Sequence, residues 1–538
     1  MSPKTLRPTR RVRRVASLAL AGLATAAAAF VVAPNVSAAA AACSSDVITD
    51  VDGGGSDVIV GLPSYNLPGK ADAGAIVVFS NVAQPGQSDP TAPTKATLYT
   101  AASFGLTAEA GARFGAAVVI WRDAGSFDDA DNCADVIVGS PGHSVGGKAR
   151  AGQVYKVKGT TSGLSGLLQT YDEDHLAGTG GAQAGAEFGS AIAAETLGML
   201  VFGAPGRDIG SAIDAGHVVR LNYLLSDQDP EISVIRQGGV NSAGAAETGD
   251  RFGEVLAMIP TGDGPILFIG VPHEDIGSKA DAGAVGMIPN IGNLGLVSQD
   301  SPGAAGSAEA GDRYGASLTV YATFINKPVA MLGIGVPGED IGGKSDAGMV
   351  SFADAEIGEV GTDTAGPLTA LARTITQNSP GVPGVTEAGD QFGAALASGD
   401  FGDDTGQLKL VVTSPAENLG SIVDAGSLEM LPIEGNGAPS PGRGAETWTQ
   451  DSPKVPGVAE RGDRFGAAVS SVELTRIIND TDLVWPVTLV TVPGEQIGNA
   501  DDAGMAYLGV APGARSVQLV PPVLQAGAGI GMVPMQTG

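Results

Sequence analysis

The chain has 538 residues, of which 81 are glycine and 33 proline, so about one position in five interrupts regular structure and a bundle of long helices is excluded. A hydrophobic share of 43% supplies a sizeable core and excludes global disorder. Aromatics at 5% and a formal net charge of −28 offer neither the stacking surface nor the positive field that a nucleic-acid partner needs.

Residues 1–38 read as an export signal. Lys4, Arg7, Arg10, Arg11, Arg13 and Arg14 stand without an acid, an apolar run follows from Val15 to Ala33, and Val36, Ser37 and Ala38 form a small-residue cleavage site. A Sec-type signal fits best, and the pairs Arg10 with Arg11 and Arg13 with Arg14 leave the twin-arginine route open. Removing these cations leaves the remaining chain more acidic still. No second apolar stretch of spanning length follows. The expectation is a secreted, extracellular monomer with no membrane span. The two cysteines, Cys43 and Cys133, are expected to pair as a disulfide after export. The alternative is a lipobox at Ala40, Ala41, Ala42 and Cys43, with Cys43 lipidated.

From residue 46 onward the chain repeats itself. The tripeptide DAG, or a one-residue variant, ends at Gly74, Gly152, Gly216, Gly283, Gly348, Gly426 and Gly504, each about ten residues after a turn proline. Those prolines are Pro63, Pro141, Pro205, Pro272, Pro337, Pro415 and Pro493. An aromatic-glycine element precedes each later copy, at Phe114, Phe188, Phe252, Tyr314, Phe392 and Phe465, and Gln525 to Val533 matches it with Ile530 in the aromatic slot. The first unit lacks its front strand and the C-terminal stretch supplies one, which is what circular closure requires. Each unit reads as four short strands separated by Gly and Pro, such as AAVVIW, ADVIVG, AGQVYKV and KATLYT.

The fold class is therefore all-β, a seven-bladed β-propeller of four-stranded blades closed by the C-terminal strand. The propeller occupies 39–538, with units over 46–105 plus 523–538, 106–170, 180–240, 244–300, 306–378, 384–450 and 457–522. A linear solenoid is the rival architecture, and it would leave two sheet ends open. The aromatics are expected to fill the wedges between blades, and the DAG aspartates Asp72, Asp214, Asp281, Asp346, Asp424 and Asp502 to accept backbone hydrogen bonds in a turn. Arg150 breaks that series in the second unit.

These elements, an FG followed by a G-x-P turn in each of seven units, resemble the FG-GAP repeat family, best known from the propellers of integrin alpha subunits. The tripeptide GAP stands unaltered at Gly203, Ala204 and Pro205. The resemblance covers nearly the whole chain after the signal and implies a seven-bladed propeller, extracellular placement and calcium held by DxDxDGxxD loops. Three loops here approach that pattern. Asp50, Asp52 and Asp57 stand in the first unit, Asp129, Asp131 and Asp135 in the second, and Asp400, Asp403 and Asp404 in the sixth, each departing from the family spacing. Calcium takes six to eight oxygens, so three carboxylates would need backbone carbonyls and water to complete the shell.

No catalytic constellation assembles from the sequence. His143, His175, His217 and His273 fall in different units and read as surface loop residues, and there is no nucleophile elbow, paired-histidine zinc motif or phosphate loop. Arg461, Gly462 and Asp463 spell RGD, but the tripeptide arises from one Ala-to-Arg difference within the repeat. The expected role is a non-catalytic binding or adhesion module that recognises a protein or glycan through loops on one propeller face. An extracellular hydrolase or lyase with a central-channel site, and a structural exoprotein, are the alternatives.

Overall fold

The computed structural model describes residues 43, 47 and 49–527, apart from 84–89, 123–131, 196–197, 224–229, 240–241, 262–263, 290–292, 324–328, 358–365, 402–406, 435–436, 479–480, 501 and 512–514. The predicted export signal and Ile530 lie outside the described residues, so neither receives a structural account.

Seven antiparallel sheets form a seven-bladed β-propeller, six with four strands in sequence order. In unit two these are Val118–Trp121, Asp135–Ser140, Gln153–Val157 and Leu167–Tyr171. The second strands are apolar without alternation because both faces are covered by neighbouring blades, as in the wholly buried DVIVGS of Asp135–Ser140. The fourth strand is the outer edge, and its exposed positions show it, as in Leu167–Tyr171. First strands of successive blades lie beside one another around the axis. Among the described residues the sheet of unit one has three strands, Val58–Leu62, Ala75–Ser80 and Lys95–Tyr99.

The wedge between blades is filled as the repeat implies. Phe114, Phe188, Phe252, Tyr314, Phe392 and Phe465 are fully buried, and burial of each side chain contributes about 1.5–3 kcal/mol. Close backbone approach brings them there. The amide of Phe114 donates to Ala73 O at 3.1 Å, and a Cβ on Gly74 would lie 2.2 Å from Phe114 O, so only glycine fits.

The DAG turn is capped in the opposite sense from the sequence expectation. Asp208 Oδ1 accepts from the Asp214 amide at 2.9 Å, and Asn66, Asp275, Asp340 and Asn418 do the same for Asp72, Asp281, Asp346 and Asp424. The capping side chain thus lies six residues before the DAG aspartate. What recurs at the DAG position is a left-handed backbone, with φ between 48° and 53° at all seven residues, Arg150 included. Asp and Asn tolerate that region better than most residues, which accounts for the preference; among these carboxylates Asp281 Oδ1 also meets His273 Nδ1 at 2.8 Å.

The ring closes. Gln525 Oε1 accepts from the Asn66 amide and Gln525 Nε2 donates to Asn66 O, both at 2.8 Å. Gln525 stands five residues before the aromatic slot, where unit two has Glu109 and unit three has Gln183. Those two make the same contact, Glu109 Oε2 with the Ser144 amide at 3.0 Å and Gln183 Oε1 with the Asp208 amide at 2.7 Å. One continuous apolar cluster also runs from Val411, Phe465 and Leu489 to Val58, Val77 and Phe114, joining the last units to the first. A linear solenoid has no such joint.

Candidate functional site

In each antiparallel blade the connection between strands two and three and the connection onward to the next blade emerge at the same end. One face of the ring therefore carries the DIG-to-DAG hairpins and the FG segments, and the opposite face carries the connections between strands one and two. The acidic loop of unit one belongs to the second group, since it precedes Val58–Leu62, the counterpart of the second strand elsewhere.

That loop brings three carboxylates together. Ligand oxygens of Asp50, Asp52 and Asp57 lie within 4.8 Å of one another, with Asp50 and Asp57 buried and Asp52 half-buried. The backbone holds them by its own donors. Asp50 Oδ1 accepts from the amides of Asp52 at 3.2 Å and Gly53 at 2.6 Å, and Asp57 spans the loop by accepting from Val51 N at 2.8 Å and Asn81 N at 2.9 Å. Asp52 Oδ2 accepts from the Ser80 hydroxyl at 2.5 Å. Burial, with Asp52 and Asp50 beside it, pushes the Asp57 carboxyl well above the usual carboxylate range. Three hard oxygen donors at this separation fit a divalent cation of the calcium type, whose charge would offset that crowding.

Cys43 and Cys133 form a disulfide, with their Cα atoms 4.8 Å apart, so Cys43 is not a free thiol for lipidation. The bridge ties the acidic loop to unit two. The amide of Ala134, next to Cys133, donates to Asp50 O at 2.7 Å, and Thr160 N donates to Val51 O at 3.2 Å. Sequence reasoning identified the cysteine pair but not this coupling to the loop, because Asp50 and Ala134 meet only across a blade junction.

The other acidic loops fare differently. Asp129 and Asp131 lie outside the described residues. Asp135 begins a buried strand, where its carboxylate accepts from Gly159 N at 3.2 Å and pairs with Lys156 Nζ at 3.2 Å. In the sixth unit Asp403 and Asp404 also lie outside the described residues.

The histidines depart from the surface reading at one place. His175 is exposed, and His143 and His273 are partly exposed, but His217 is buried with Nε2 at 2.8 Å from Glu173 Oε1. Arg207 Nη1 lies 3.4 Å from the other oxygen of Glu173 and donates to Gly181 O at 2.5 Å. The Glu173–Arg207 pair, with His217 packed against it, braces the junction between units two and three. In the RGD tripeptide Asp463 is buried, and its Oδ2 accepts from the Glu460 amide at 2.5 Å, which makes it a turn residue and not a presented ligand.

No protein-family model matches the chain, and no curated protein matches it. Among solved structures, one similar chain is an alpha-L-arabinofuranosidase from Lactobacillus brevis, at 11% identity and a TM-score of 0.29, covering 61% of this chain and 88% of that one. At that score the likeness carries no argument about chemistry. Among the described residues no helix is long and apolar enough to cross a membrane.

Proposed function

We propose that the chain is a secreted propeller of the FG-GAP type that works as a non-catalytic binding module, recognising a protein or glycan through loops on one face of the ring. The observation that supports this reading most is the sameness of that face. Five of the seven hairpins are held by the same side-chain cap, and a buried aromatic backs six of the junctions. Loops fixed in this way present a pre-organised surface, which lowers the ordering cost of binding a macromolecule.

A calcium ion at Asp50, Asp52 and Asp57 completes the proposal as a structural element of the first unit. It would lock the loop beside the disulfide and hold units one and two in register.

A glycan and protein array probed with the folded chain, run beside a broad hydrolase and lyase substrate screen, tests the main reading. Saturable binding without turnover is the expected result. Turnover abolished by substituting a channel-lining acid would instead establish the extracellular enzyme.

A further inference from the structure

Three positions of the repeat meet at each blade junction: the residue 15 before the buried aromatic, the residue two before it, and the residue two after the turn proline. At the junction of units three and four these are Gln237, Asp250 and Glu274, and at the next junction Gln299, Asp312 and Glu339. Gln377, Asp390 and Glu417 follow between units five and six, and Gln450, Asp463 and Glu495 between units six and seven. The glutamine Nε2 donates to the glutamate Oε2 at 2.6, 2.7, 2.6 and 2.6 Å in turn. The aspartate Oδ2 accepts the backbone N–H of Glu247, Glu309, Glu387 or Glu460, each at 2.5 Å.

Donors are short at these junctions. All four glutamine Oε1 atoms are buried without a partner, and so are Asp250 Oδ1 and Asp390 Oδ1. Each of these is an acceptor, and leaving one buried and unmet is destabilising. The charged groups facing them do not help. Glu247 and Asp275 face the first pair of acids, Glu309 and Asp340 the second, and Glu460 and Asp502 the fourth, where the Tyr507 hydroxyl also stands but donates to Pro456 O at 2.6 Å. The third pair faces Glu387 and the buried Glu429, with Lys344 as its cation. A carboxylic O–H is the donor that such an array of acceptors calls for, and it also removes a charge from a group of acids.

We infer that each of these four junctions holds a proton on its Asp–Glu pair, donated to the neighbouring unmet acceptors, so that the arc from unit three to unit seven is a seam locked in mild acid and loosened as the pH rises. The remaining described junctions are built otherwise. Between units two and three the same positions carry Glu173, Ala186 and Arg207, an ion pair, and between units one and two they carry Tyr99, Ala112 and His143. Wherever the third position is glutamate the first is glutamine, and where it is Arg207 the first becomes the oppositely charged Glu173. Burial and the neighbouring acids act in the same direction. Asp250 and Asp312 are pushed up to about 6, Glu274, Glu339, Glu417 and Glu495 up to about 7, and Asp390 and Asp463 also rise.

A carboxyl raised by folding contributes stability that is complete below its unfolded pKa and is lost as the pH rises through its folded one. Thermal unfolding of the full chain in chelator should therefore show Tm falling from about pH 5 to about pH 8, with net proton release on unfolding near pH 6 read from buffers of different ionisation enthalpy. Combined Glu274→Gln, Glu339→Gln, Glu417→Gln and Glu495→Gln supplies amide donors that do not titrate, and should flatten most of that fall. If the combined variant does not fold, Glu339→Gln alone should lower the proton release measurably. A Tm independent of pH, or unfolding near pH 6 without proton release, overturns the inference. So does a high-pH Tm restored by calcium in an Asp57→Asn background without any proton release, because a cation would then occupy the place assigned to the proton.

Discussion

Arg150 and Glu187 are a charge-reversed copy of a contact that recurs around the ring. The Glu187 amide donates to Arg150 O at 3.1 Å, and the Arg150 guanidinium pairs with the Glu187 carboxylate. At four other junctions the same two backbone positions hold an acid and an arginine in the opposite order, Asp72 with Arg113, Asp214 with Arg251, Asp281 with Arg313 and Asp424 with Arg464. Both positions are left-handed in every case, so the fold fixes the backbones and leaves the charges free to exchange. Arg150→Ala and Glu187→Ala should each destabilise the protein, the second more because Glu187 also pairs with Arg251 at 3.1 Å. A double-mutant cycle by urea unfolding should give a coupling of about 0.5–1 kcal/mol, since Arg150 is largely exposed. Strict additivity would show that the two charges do not meet in solution.

Calcium should raise the melting temperature, and Asp57→Asn should abolish that rise. At a free calcium concentration near 100 times Kd the stabilisation is about 2.7 kcal/mol. Calorimetry with calcium and with chelator measures it. An unchanged midpoint in the wild-type chain removes the metal from unit one.

The disulfide closes a segment of 90 residues between units one and two. Paired Cys43→Ser and Cys133→Ser should cost about 2–5 kcal/mol in denaturant unfolding. The same variant should bind calcium more weakly, because Ala134 would no longer be held so firmly against Asp50. Equal calcium affinity in the two proteins would separate the bridge from the loop.

Phe252→Ala should cost about 3–5 kcal/mol, as expected for a fully buried aromatic between blades. Val458→Ser, at a side chain 64% exposed, should change stability by no more than about 0.5 kcal/mol. Similar costs for the two would mean that the aromatic wedge does not hold the blades together.

Much of the fold was legible because the signals were local. A turn proline, a DAG and an aromatic glycine at steady spacing report a blade without knowledge of its neighbours, and seven of them report a ring. What the sequence concealed were relations across junctions. Glu274 and Gln237 stand 37 residues apart and meet only after two blades pack, although writing the units beneath one another exposes the glutamine 15 residues before four of the six aromatics. His217 was misread because it stands just beyond the DAG motif, at a position where repetition gives no guide to burial. The DAG aspartate was assigned a side-chain task when the repeat was recording a backbone angle. The acidic composition consequently has a further address, since a share of it is buried between blades.

The contact between Asn66 and Gln525 joins residues 459 positions apart. A chain delivered N-terminus first will have most of its blades out and able to pack before Gln525 emerges. Until then unit one has no partner on one side, and its apolar wedge stays open to whatever else is nearby. Completion of the ring is thus a timed event tied to the arrival of the tail, and the interval before it is when a second unfinished chain could take the tail's place.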